Sequence, residues 1–84
     1  MLKVYTASSL DLLVRSVKRR SRGWFSHLLL PQNAMFNPGG GAAYQPIKEG
    51  DIFMGYPIHL SPDVEGAACG IMVVQNGEKY YLEV

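Results

Sequence analysis

The residues best suited to do chemistry lie in one run, Arg15-Ser16-Val17-Lys18-Arg19-Arg20-Ser21-Arg22-Gly23-Trp24-Phe25. Five of the eight positions from Arg15 to Arg22 are basic, and two aromatic residues follow. Guanidinium and ammonium groups pair with phosphate or carboxylate, while aromatic rings offer faces for stacking. Arg15, Lys18, Arg19, Arg20, Arg22 and Trp24 are therefore the candidate partner-binding residues. The expected partner is an acidic protein surface or a nucleoprotein complex, with nucleic acid itself as the alternative, because acidic proteins recruit the same residue types. The competing explanation is a merely solvated basic face, with Trp24 and Phe25 in the core.

The remaining reactive residues form no local pattern. His27, His59 and Cys69 stand dozens of residues apart, without the clustered spacing of a metal site. A nucleophile needs a base and an orienting group, and Cys69 falls on an apolar strand face where a thiol behaves as a small hydrophobe. The carboxylate pairs Glu49/Asp51 and Asp63/Glu65 sit at expected loop edges, where solvation is normal. Gly39-Gly40-Gly41 lacks the Gly-Lys-Ser/Thr continuation of a phosphate-binding loop. The expectation is no enzyme, no metal and no cofactor.

These residues must be positioned by a short list of elements. Lys3–Thr6 reads as a strand. Ser8 and Asp11 approximate a capping box, so a helix is expected from there to Gly23. Leu10, Leu13, Val14 and Val17 form its apolar stripe, and Arg15, Lys18, Arg19 and Arg22 repeat the spacing on another face. Trp24–Leu30, bounded by Gly23 and Pro31, reads as a second strand. Residues 31–50 carry so many Gly, Pro and Asn that a long flexible loop is expected. Asp51–Leu60 reads as one strand with Ile52, Met54, Tyr56, Ile58 and Leu60 on a common face, and Pro57 marks an edge or a bulge. Cys69–Gln75 and Glu78–Val84 flank Asn76-Gly77, the preferred sequence of a type I′ hairpin turn. That loop pairs Val73 with Tyr80 and Ile71 with Leu82. Cys69, Ile71, Val73, Tyr80, Leu82 and Val84 then share the expected core face, leaving Met72, Val74, Lys79, Tyr81 and Glu83 outside.

The expected fold is α+β: a small antiparallel or mixed sheet with one basic amphipathic helix, in the order β-α-β-long loop-β-β-β. With 84 residues the chain is expected to be a single domain over 1–84, burying about 60–65% of its unfolded surface. The lone cysteine allows no internal disulfide, Asp11 and Arg15 interrupt any N-terminal apolar run, and no stretch is long enough to span a bilayer. A cytoplasmic address without membrane contact is expected. Net charge is +1, but residues 1–35 hold six basic groups against Asp11, a net +5, and residues 36–84 carry −4. Such polarity steers one end toward an acidic partner, unless the two halves simply attract one another.

One segment, Phe53-Met54-Gly55-Tyr56-Pro57-Ile58-His59-Leu60-Ser61, resembles a stretch near the C-terminus of tailed-phage major capsid proteins. The resemblance covers nine of 84 residues, and such subunits are several times longer. It implies a virion structural or assembly role. The leading expectation remains a small binding protein of a phage or other mobile element, inhibiting a host protein or nucleoprotein machine through its basic helix. Direct nucleic-acid binding through Arg15–Phe25 is the alternative. A weak homodimer is compatible with the sequence, which does not fix the oligomeric state.

Overall fold

The computed structural model describes residues 3–20, 24–38 and 44–84. Its elements are β1 (Lys3–Thr6), α1 (Ala7–Arg20), β2 (His27–Leu30), β3 (Ala34–Asn37), β4 (Gln45–Pro46), β5 (Ile52–Phe53), β6 (Tyr56–Leu60), β7 (Ala68–Gln75) and β8 (Glu78–Glu83). With one helix and mixed sheets among the described residues, the fold is α+β.

Helix α1 is capped by Thr6, two residues before the expected cap at Ser8. The Thr6 Oγ1 accepts the Ser9 amide at 3.1 Å, and the Ser9 Oγ accepts the Thr6 amide at 2.9 Å, a reciprocal cap built from Thr6 and Ser9. Asp11, expected in that role, instead pairs with Arg15 one turn on. Leu10, Val14 and Val17 are buried as the stripe requires, and Leu13 packs partly against them. Each such side chain contributes about 1.5–3 kcal/mol relative to exposure. Ser21, Arg22 and Gly23, including the expected helix stop, lie outside the described residues.

The larger sheet runs β5-β6-β2-β7-β8, with β2 parallel to β6 and antiparallel to β7. Strand β2 starts at His27, later than the Trp24 expected, and Trp24 stands exposed ahead of it. Leu28, Leu30, Ile58 and Cys69 face α1 and, with Phe25, form the core. Leu29 points to the other face. Gly70 makes room for it there: a Cβ at that position would lie 2.6 Å from Leu29 Cδ1.

Two expectations fail in the middle of the chain. Residues 31–50 are not free of regular structure: β3 pairs with β1 in parallel, Lys3 opposite Ala34, and with β4 on its other side. Ala34 and Ile47 are buried there, while Gly39–Ala43 lie outside the described residues. Asp51–Leu60 is not one strand either. Met54 and Gly55 turn at φ 54° and 85°, so β5 folds back on β6. Ile52 is therefore 73% exposed and leaves the common face, and Pro57 lies inside a strand flanked by β5 and β2, not on an edge.

The β7–β8 hairpin keeps the expected register, with Val73 opposite Tyr80 and Ile71 opposite Leu82, and Asn76 and Gly77 both at positive φ. Its expected core face is fully packed only at Cys69, with Ile71 and Val73 half-buried. Tyr80, Leu82 and Val84 are exposed, and Tyr81 is the one residue of β8 that is not. The hairpin runs past the end of β2, whose last pair with β7 is His27 with Gly70, so the face beyond Cys69 has no cover among the described residues.

Met54 holds a left-handed backbone that costs a non-glycine residue about 1–2 kcal/mol and that asparagine tolerates better. Met54 is half exposed, so little packing opposes a change. Met54→Asn should raise stability by about 0.5–1 kcal/mol, read as a higher urea midpoint at unchanged slope.

Candidate functional site

With its stripe committed to the core, α1 turns Arg15, Lys18, Arg19 and Arg20 to water. Arg15 Nε lies 2.8 Å from Asp11 Oδ2, but the arginine side chain is 71% exposed, so the pair contributes little. Lys18 Nζ sits 5.5 Å above the Tyr56 ring. Arg19 and Arg20 make no ion pair among the described residues. Arg22, the fifth basic residue of the run, is outside them. The two aromatics part company: Phe25 is buried and stacks on Tyr56 at 4.4 Å, whereas Trp24 is 69% exposed. Of the pair, only Trp24 presents a free stacking surface.

Arg20 also reaches the sheet electrostatically. Burial pushes the Cys69 thiol up to about 11, and the nearby Arg20 charge offsets part of that rise. A thiol so placed is protonated at neutral pH and shielded from reagents.

The opposite face of the sheet carries a cluster that the linear spacing concealed. His27 and Tyr81 meet edge to face at 4.9 Å, and His59 stacks on the same Tyr81 ring at 3.8 Å. Each histidine has its own polar partner. His59 Nδ1 lies 2.9 Å from Glu49 Oε2, and Glu49 Oε1 accepts the Leu60 amide at 2.8 Å. Glu49 is thus engaged, contrary to the expectation of simple solvation. His27 Nδ1 lies 2.9 Å from the Ser26 hydroxyl, which accepts the Met72 amide at 2.8 Å. The two pairs stay separate: the carboxylate supports His59, while the hydroxyl belongs to His27.

Cys69 cannot join them. It lies opposite Leu28 on the α1 side of the sheet, and His27, one residue earlier, points the other way. No group of three or more His, Cys, Asp or Glu among the described residues is arranged to hold a metal. A cleft of about 210 Å³ opens between the two sheets, lined by Leu10, Phe36, Ile47, Phe53 and Ile58 with Asp51. Asp51 is already committed there, its Oδ2 accepting the Lys48 amide.

Comparison with protein-family models, curated proteins and solved structures finds no match. No helix among the described residues is long and apolar enough to cross a membrane.

The ring cluster reverses the expected cost of two neighbouring substitutions. Tyr81→Ala should destabilise by about 1–3 kcal/mol, since two ring contacts are lost, and Leu82→Ala by less than about 1 kcal/mol. Urea denaturation of both variants checks the order.

The same cluster sets a pH dependence. Burial lowers the His27 pKa below its ordinary 6.5, and His59 and Lys79 lower it further against an opposing pull from Glu49. Burial alone would raise Glu49, but hydrogen bonds from His59 and Leu60 together bring it below its ordinary 4.5. Both folded values lie below the unfolded ones, so the unfolded chain binds protons first as pH falls. Stability should therefore decline as pH drops through about 6.5 and again below about 4.5. His27→Gln should remove the first decline, measured as the melting temperature across the pH series.

Proposed function

We propose that the chain acts by stoichiometric binding and not by catalysis, docking the basic face of α1 on an acidic protein or nucleoprotein surface. An inhibitor of a host nucleoprotein machine, carried by a phage or another mobile element, is the specific form of this reading. One observation supports it above the rest. Leu10, Val14 and Val17 are spent on the core, which leaves Arg15, Lys18, Arg19 and Arg20 exposed on the remaining surface of α1, with exposed Trp24 four residues further along the chain. Concentrated like charge on a solvated face adds nothing to the fold and raises the encounter rate with an acidic partner.

A different observation favours a second reading, a virion structural or assembly subunit. Tyr80, Leu82 and Val84, with half-buried Ile71 and Val73, make an apolar face that the helix does not cover. A surface of this kind suits a subunit completed by its neighbours. The Phe53–Ser61 segment that resembles phage capsid proteins folds as the tight β5–β6 hairpin beside the core.

Reversing Arg15, Lys18, Arg19 and Arg20 to Glu tests the first reading, because none of them lies on the buried stripe. Fluorescence polarisation with random single- and double-stranded oligonucleotides in a salt series covers the nucleic-acid case. Four phosphate contacts on a duplex give a slope of log affinity on log salt of about −3 to −4. Crosslinking in host lysate covers the acidic-protein case. The expected result is binding lost in one of the two assays, with an unchanged circular dichroism spectrum. Affinity retained in both by the reversed protein would leave the helix a solvated face.

A further inference from the structure

Strand β8 ends the larger sheet, and no strand pairs with its outer side among the described residues. Its hydrogen-bonding pattern follows from one contact. The Val84 amide donates to Cys69 O at 2.9 Å. Antiparallel pairs alternate between bonded and non-bonded, so Glu78, Tyr80 and Leu82 also turn their backbone groups toward β7. Lys79, Tyr81 and Glu83 turn theirs outward. A groove of about 230 Å³ borders Lys79–Tyr81, with His59, Ser61, Pro62 and Asp63 along it. An open edge with unmet donors and acceptors is a template for another strand.

The sequence of that edge is self-complementary. A two-fold axis through an antiparallel β8–β8 pair must match outward residues with outward residues, so it is centred on one of residues 79 to 83; centred on Lys79 or Glu83, that charge meets its own copy, which leaves residues 80, 81 and 82. Centred on Tyr80, Lys79 meets Tyr81, and Glu78 meets Leu82. Centred on Leu82, Tyr81 meets Glu83 and Lys79 has no partner within the strand. Centred on Tyr81, Lys79 of each copy meets Glu83 of the other, and Tyr80 meets Leu82 on the opposite face. Only that register pairs opposite charges, twice, and puts no like charges face to face. It also carries the exposed apolar stripe of Tyr80 and Leu82 unbroken across the axis.

We propose that two copies of this chain associate through antiparallel pairing of their β8 strands, in the register that sets Lys79 of one against Glu83 of the other. The two five-stranded sheets then form one continuous ten-stranded sheet. The contact is isologous, so it closes at a dimer. It is small enough for the dimer to be weak and concentration-dependent. It needs neither the basic helix nor an acidic partner, and so goes beyond the function proposed above.

Sedimentation velocity over a series reaching high micromolar concentration tests it with three proteins: wild type, Lys79→Glu and Glu83→Lys. Both side chains are exposed, and circular dichroism and melting confirm that each variant folds. The wild type should dimerise, and each variant alone should dimerise at least about tenfold more weakly because like charges now oppose. Mixed in equal amounts, the two variants again set an acidic side chain against a basic one at both contacts of the pair. The mixture should then recover the wild-type affinity as a heterodimer, and Lys79→Glu combined with Glu83→Lys in one chain should restore self-association. A wild type that stays monomeric throughout overturns the proposal. So do single variants that dimerise like the wild type, or a mixture of folded variants that remains monomeric.

Discussion

Leu28, Leu29 and Leu30 are consecutive and all out of water. Because alternate residues of a strand face opposite ways, β2 must be covered on both faces. One cover is α1, which lays Leu10, Val14 and Val17 near Leu28 and Leu30. The other has no helix among the described residues and depends on small size: Gly70 and Ala68, next to Leu29 on β7, leave the space its side chain occupies. Strand β2 also joins the two halves of the sheet, β6 on one side and β7 on the other. A single strand thus fixes where the helix sits, why position 70 lacks a side chain, and which way the flanking histidine points.

The charge layout follows from that arrangement. A helix covering one face of β2 has a stripe of apolar residues to spend and a remainder that must be soluble. Here that remainder is basic, and its last turn reaches toward Cys69. On the far side His27 precedes Leu28 and so shares its face with Leu29, as does His59, paired with Leu29 across β6. Tyr81 comes from the third direction and meets both rings. The polar cluster and the basic helix are therefore on opposite faces of one sheet, held by the same strand.

What could be read from the residues was local. The stripe of α1, strand β1 and the Val73/Tyr80 register each depend on neighbours close in sequence, where periodicity and turn chemistry decide the outcome. Strand β3 depends on β1, some thirty residues away, and nothing in the breaker-rich Ala34–Asn37 region announces that partner. The break at Met54 was hidden because the residue beside Gly55 is not a usual turn former, although Met-Gly here adopts the same signs of φ as Asn-Gly. Alternation divided the hairpin into two faces correctly but could not say how far along it each would be packed: Cys69 is buried on the Leu82 side, whereas Tyr80, Leu82 and Val84 are exposed. Six apolar residues argued for the Leu82 side, yet the histidines of β2 and β6 lay under Tyr81. Parity along those two strands, taken with Tyr81, was the available signal for the cluster, and it required knowing that β2 lies between β6 and β7.

The hairpin that outruns β2 has a kinetic meaning. From Val73 through the Asn76-Gly77 turn to Tyr80 the two strands bond, among the described residues, only to each other, since β2 last pairs at Gly70 and the Ser26 hydroxyl reaches no further than Met72. An isolated two-stranded ribbon is marginal in water. Its tip can fray and re-zip while Cys69 and the core remain in place, a sub-global opening with its own amide-exchange rate. The chain therefore folds as a slow-exchanging centre bearing a fast-exchanging arm, and the boundary between the two lies near Met72.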